Sequence, residues 1–168
     1  MATFKTVGIS LKATPFAEAD KLVTLFTREQ GKIKVIAKGA RRIPSRLAGR
    51  VEPFSYGEYF IVKGRNLHIL SQATLFETFQ FIRENEHMLM SALHLLRLIH
   101  AGTAEGQANP ELFDLLVHSL ARFKKNVAPA RIAKDFERDF LVLEGVYQED
   151  GDSTLMMSEH LGKDIRSW

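Results

Sequence analysis

The sequence contains no cysteine. Disulfides, thiolate metal sites and cysteine nucleophiles are therefore excluded together, and a reducing compartment fits. No apolar run approaches the ~18 residues that a membrane-spanning helix requires. The opening residues, Met-Ala-Thr-Phe-Lys-Thr-Val-Gly, carry neither an apolar signal core nor a small-residue cleavage site. A soluble, intracellular protein is expected. The glycines form neither a Walker pattern nor a dinucleotide fingerprint, so no phosphate cradle of those kinds is expected. Repeats of 20–50 residues and low-complexity tracts are also missing.

What is present is an ordinary globular balance over 168 residues, 45% hydrophobic and 26% charged. That is enough apolar surface for one domain or two small ones. The net charge of +3 conceals a division. Residues 1–75 carry 13 Lys+Arg against 5 Asp+Glu, a balance of +8, and residues 76–168 carry 10 against 15, a balance of −5. A basic front and an acidic back suggest two units with different partners.

The positive charge concentrates in residues 32–50, which hold Lys32, Lys34, Lys38, Arg41, Arg42, Arg46 and Arg50 and no acidic residue. Lysines alternate with Ile33 and Val35 at the start, the pattern of a strand with one charged edge. After Lys38 the pattern stops at Gly39, and Pro44 and Gly49 keep the arginine-rich remainder irregular. Uncompensated cations repel one another, so a polyanion is the expected partner.

Short β-branched and aromatic runs predict strands at 7–11, 21–27, 32–38, 56–63 and 67–75, with Thr14-Pro15 breaking the chain after the first. Five strands with a long connection between the third and fourth suit a small closed barrel of OB-fold type, and an SH3-like barrel fits the spacing almost as well. Past Leu75 the period becomes helical. One stripe runs from Ile82 to His100. Asn109-Pro110-Glu111 starts a second helix, bearing Phe113, Leu116, Leu120 and Phe123. Ile132, Phe136, Phe140 and Leu143 line a third helix, closed by Gly145. Asp152 or Ser153 caps a last short helix ending at Gly162. The expected class is α+β: an OB-fold-like barrel over 1–78, then a helical domain over 79–168.

Catalytic chemistry finds little support. His87, His94 and His100 lie on one predicted helix without the i, i+4 spacing of a helical metal site. Glu18 with Asp20, and Asp135 with Asp139, are the paired carboxylates. The second pair is interleaved with Lys134 and Arg138, as on a solvated helix face. No metal, no cofactor and no enzymatic activity are expected. Among the aromatics Phe16, Phe54, Tyr56, Tyr59 and Phe60, Phe54 and Phe60 read as barrel filling. Tyr56 is the candidate for stacking on a base, worth ~1–3 kcal/mol. The candidate DNA-binding set is Lys32, Lys34, Lys38, Arg41, Arg42, Arg46, Arg50 and Tyr56.

These motifs resemble the RecO family of bacterial DNA repair and recombination-mediator proteins. The resemblance is carried by Gly8-Ile9 with Leu11-Lys12, by Glu18-Ala19-Asp20, and by Leu25 to Lys32. It is strongest at Ala37-Lys38-Gly39-Ala40-Arg41-Arg42, followed by Ser45-Arg46-Leu47-Ala48-Gly49 and Pro53-Phe54. Gly64-Arg65-Asn66-Leu67, Phe136-Glu137 with Leu141 to Gly145, and Glu159 to Lys163 extend it along the chain. Many family members carry a cysteine-bearing, zinc-ribbon-like segment where Tyr147 to Asp152 here joins two motifs almost directly. The resemblance therefore implies no zinc site in this chain. It does imply an OB-fold that binds single- and double-stranded DNA, and annealing of complementary strands. It also implies action with RecR to help RecA displace single-stranded-DNA-binding protein, whose acidic tail docks on the helical domain. Lys38, Arg41, Arg42 and Arg46 match the family's basic motif. Lys134, with Arg131, stands where the family places basic residues near the tail pocket. A cytoplasmic, nucleoid-associated bacterial protein is implied.

Overall fold

A computed structural model describes residues 2–168. The chain divides into two compact units: Met1–Thr78 with Thr103–Asn109, and Phe79–Gly102 with Pro110–Trp168.

The first unit is a closed five-stranded barrel: β1 (Thr3–Phe16), β2 (Asp20–Thr27), β3 (Gly31–Ala37), β4 (Tyr56–Val62) and β5 (His68–Glu77), in the order β1-β2-β3-β5-β4. All pairings are antiparallel except β3 with β5, where Val35 meets His68 and Ile36 meets Ile69. A five-stranded Greek-key barrel closed by this parallel seam has the OB-fold arrangement, which periodicity alone left open against an SH3-like one. Alternation sorts the side chains. Val23, Leu25, Ile33, Val35, Tyr59, Ile61, Leu70 and Ala73 fill the interior, while Lys12, Thr24 and Lys34 fall at matched positions on the outer face.

β1 is longer than the 7–11 run predicts, and Thr14-Pro15 does not end it. A bulge between Ser10 and Lys12 bends the strand. Its first half pairs with β4 only as far as Ile9, and its second half pairs with β2. Past Ile9 the strand has one ladder neighbour, and such an edge position accommodates proline.

Residues 79–168, expected as one helical domain, do not all belong to the helical unit. Thr103–Asn109 instead groups with the barrel, because it completes the edge of β3 that β5 leaves open. Glu105 bridges Lys32 in parallel, and the Gly106 N–H donates to the Lys32 carbonyl at 3.0 Å. Gly31 makes this approach possible. Its φ is +71°, and a Cβ there would lie 2.4 Å from the Gln107 carbonyl oxygen.

The second unit comprises α1 (Gln80–Arg83), α2 (Glu86–Gly102), α3 (Pro110–Arg122), α4 (Pro129–Leu143) and α5 (Ser153–Leu161). The stripe from Ile82 to His100 is split at Asn85 rather than continuous. Asn85 Oδ1 accepts from the Met88 N–H at 3.0 Å, a side-chain cap that starts a new helix. Helix α4 buries Ile132, Phe136 and Phe140 at helical spacing and packs against α2, α3 and α5. Asp152 caps α5 through the N–H groups of Thr154 and Leu155, and Gly162 ends it in the left-handed region. No helix among the described residues is long and apolar enough to cross a membrane.

Candidate nucleic-acid interface

The arginine loop is irregular but anchored. Its apolar residues Ala40, Leu47 and Val51 are buried in the barrel core. Between them Arg41, Arg42, Arg46 and Arg50 are exposed, with Lys38 just before the first anchor. Burying one side of an irregular segment forces the rest outward, which turns a composition bias into a directed positive surface.

Backbone contacts fix the ends of the loop. Gly39 N–H donates to Asp20 Oδ1 at 2.8 Å, and Arg41 N–H donates to the Ala19 carbonyl at 2.9 Å. Both acceptors lie at the β1–β2 turn, where Arg41 Nη1 also reaches the Ala17 carbonyl at 3.1 Å. At the far end Ser10 Oγ donates to the Val51 carbonyl at 2.6 Å, and Phe54 N–H donates to the Ser10 carbonyl at 3.0 Å. Buried Phe54 is held there at φ 74°, a conformation a non-glycine residue adopts only when its surroundings over-determine it. Tyr59 closes the loop from inside: its hydroxyl donates to Ser55 and Arg50 carbonyls, and burial raises its pKa.

The candidate residues separate by environment. Lys38, Arg41, Arg42 and Arg46 are exposed, and none pairs with a carboxylate among the described residues. Arg50 is exposed but donates from Nη1 to the Ala73 carbonyl at 2.8 Å, clamping the loop's 3-10 turn to β5. Lys34 is exposed and sits 3.4 Å from Glu105. Lys32 departs from the expected charged edge. It lies on the same face as Lys34, as alternation requires, but is only 7% exposed. Its Nζ donates to the Thr103 carbonyl at 2.8 Å, and burial lowers its pKa. The strap Thr103–Asn109 covers a position that strand period alone makes solvent-facing. Tyr56 is half-buried and edge-on to Phe76 at 5.3 Å. The exposed ring of that pair is Phe76, 55% accessible, which sequence reasoning missed.

Other exposed cations come from segments distant in sequence. Exposed Lys12 lies in register with Thr24, which in turn faces Lys34. The β4–β5 turn carries exposed Lys63 and Arg65, and Lys63 Nζ lies 5.6 Å from the centre of the Phe4 ring on β1.

In the helical unit, Asp135 receives Arg122 at 3.0 Å, Arg131 at 3.1 Å and Arg138 at 3.6 Å. Burial raises its pKa, but the arginine hydrogen bonds and charges outweigh it and the net shift is downward. Lys134 faces Asp152 at 3.6 Å and Glu137 at 3.9 Å and hydrogen-bonds the Thr154 hydroxyl. Arg131 and Lys134 are thus already engaged by carboxylates of their own unit. A separate open cavity of about 350 Å³ is lined by Arg97, His100, Ala101, Lys163 and Trp168. Arg97 and Lys163 pair with no carboxylate among the described residues.

Comparison with known proteins agrees with this architecture in both units. The family described as "Recombination protein O N terminal" matches residues 1–79, and "Recombination protein O C terminal" matches residues 83–149. Among curated relatives, the DNA repair protein RecO of Alkaliphilus metalliredigens is 38% identical over 143 residues, covering 84% of this chain and 58% of the relative. The Bacillus pumilus protein of that name is 41% identical over 116 residues, covering 69% of this chain and 45% of its own. The Bacillus subtilis protein is 34% identical over 145 residues, covering 86% and 57%. The chain spans about half the length of the curated relatives it matches. Matched along both units and in the same order, the chain belongs to the RecO family.

Proposed function

We propose that this chain is a non-enzymatic DNA-binding mediator of recombinational repair in the bacterial cytoplasm, acting at the nucleoid. It binds single- and double-stranded DNA, brings complementary strands together to anneal, and with RecR assists RecA loading on DNA coated by single-stranded-DNA-binding protein. The observation that carries the reading is the anchored loop: Arg41, Arg42 and Arg46 face solvent without a carboxylate partner while Ala40, Leu47 and Val51 hold them in place. Such cations replace the counterions condensed on a phosphate backbone, and the released ions drive binding. Neutralising two strands on one surface also lowers the repulsion between them.

With about four cations on phosphate, the log–log salt dependence of single-strand affinity should have a slope near −3. Replacing Arg41, Arg42 and Arg46 with Ala should flatten that slope by about 2. An unchanged slope in anisotropy titrations would place the DNA elsewhere.

A second reading is an adaptor that captures the acidic tail of single-stranded-DNA-binding protein. The cavity between Arg97, Lys163 and Trp168 favours it: two unpaired cations beside an apolar wall suit an acidic peptide. It fits that role better than Lys134 and Arg131, whose charges are offset by Glu137, Asp152 and Asp135.

A further inference from the structure

We propose that Ile43, at the tip of the arginine loop, is a wedge that enters between adjacent bases of bound DNA. This rests on the DNA-binding reading above. Ile43 is 98% exposed, whereas the loop's other aliphatic anchors, Leu47 and Val51, are buried. A lone exposed aliphatic residue is ordinary on a protein surface. The position of this one is not.

It stands next to Arg42 and Pro44, with Arg41 and Arg46 close on either side, all exposed. The base of the loop is tied at Gly39, Arg41 and Leu47, so the tip is presented on a fixed stem. Cations on either side of an apolar tip match the division of labour in proteins that unstack bases. Basic side chains hold the phosphates, and a Phe, Leu, Ile, Met or Pro side chain separates a step. A bare aliphatic group held against a strand gains by leaving water for the apolar faces of two bases. For a protein that anneals strands, local unstacking would free base edges to test a complementary partner.

The test uses the full chain, its Ile43→Ser and Ile43→Leu variants, and oligonucleotides carrying one 2-aminopurine, in single-stranded and duplex form. Anisotropy follows binding, and 2-aminopurine emission, which rises on unstacking, follows insertion. The expected result is a rise at saturation with the wild-type chain in at least one arm, loss of most of that rise with Ile43→Ser, and its return with Ile43→Leu. The salt slope of all three should agree, because Ile43 carries no charge. The arm that responds identifies whether a flexible strand or a duplex step is entered. Equal rises with Ile43→Ser, or no rise while the wild-type chain binds, overturn the wedge and leave DNA binding standing. Absence of binding by the wild-type chain overturns both readings.

Discussion

Glu105 Oε1 lies 3.4 Å from Lys34 Nζ, so the strap that completes the edge of β3 also sets a carboxylate against a lysine of the basic segment 32–50. Lys34 of β3 and Lys12 of β1 fall at matched positions on the outer face, each in register with Thr24 of β2. Glu105 therefore withholds one cation from that surface.

Replacing Glu105 with Gln should release Lys34 at a small cost in folding, since exposed ion pairs contribute about 0.2–1 kcal/mol. Single-strand affinity at low salt should rise, by about two- to five-fold if the freed pair is worth 0.5–1 kcal/mol. The salt slope should steepen by about 0.7. Anisotropy titrations at several salt concentrations read both. An affinity equal to wild type would show that DNA does not cross β3 at Lys34.

Glu137 is 3% exposed and accepts from His94 Nε2 at 3.0 Å and from the Ser153 and Thr154 hydroxyls at 2.8 Å each. Burial alone pushes its pKa up. The hydrogen bonds from His94, Thr154 and Ser153 and the charge of Lys134 outweigh that, and the net shift is downward. A carboxyl depressed in the folded state contributes stability above its unfolded pKa, and that contribution is lost as pH falls through the folded pKa. Glu137→Gln should cost about 2 kcal/mol near pH 7. In urea titrations the gap between variant and wild type should narrow below about pH 4. A gap independent of pH would mean that shape, not charge, is what α4 and α5 require at this position.

An acidic peptide should bind the full chain at the cavity lined by Arg97, Lys163 and Trp168. Trp168 is the only tryptophan in the sequence, so its fluorescence reports occupancy directly. Reversing both charges with Arg97→Glu and Lys163→Glu should weaken binding on the order of tenfold, about 1.4 kcal/mol. Lys134→Ala and Arg131→Ala should weaken it less. The opposite ranking would return the tail site to α4.

Much of the barrel was legible in the sequence because a half-buried strand writes its two faces as alternation, and each turn between strands announces itself. The last helix was legible for a similar local reason, since Asp152 and Gly162 sit at its two ends. Asn85 was less legible: its cap competes with an apolar stripe that runs through it, and the hydrogen bond to Met88 decided the matter. Proline at position 15 misled in the other direction, because its tolerance depends on whether a neighbouring strand is still present at that level.

By itself, the sequence determined the cationic loop, the absence of thiol chemistry, the two halves of opposite charge and the order of strands before helices. All of these follow from residue identity and near-neighbour spacing. Tertiary structure alone decided which cations stay free. Lys32 was buried by a segment about seventy residues away in sequence, Lys34 was set against Glu105 of that same segment, and Ile43 was left in water while Leu47 was buried. A side chain's exposure depends on what packs against it, and contacts between distant segments leave no periodic trace in the sequence.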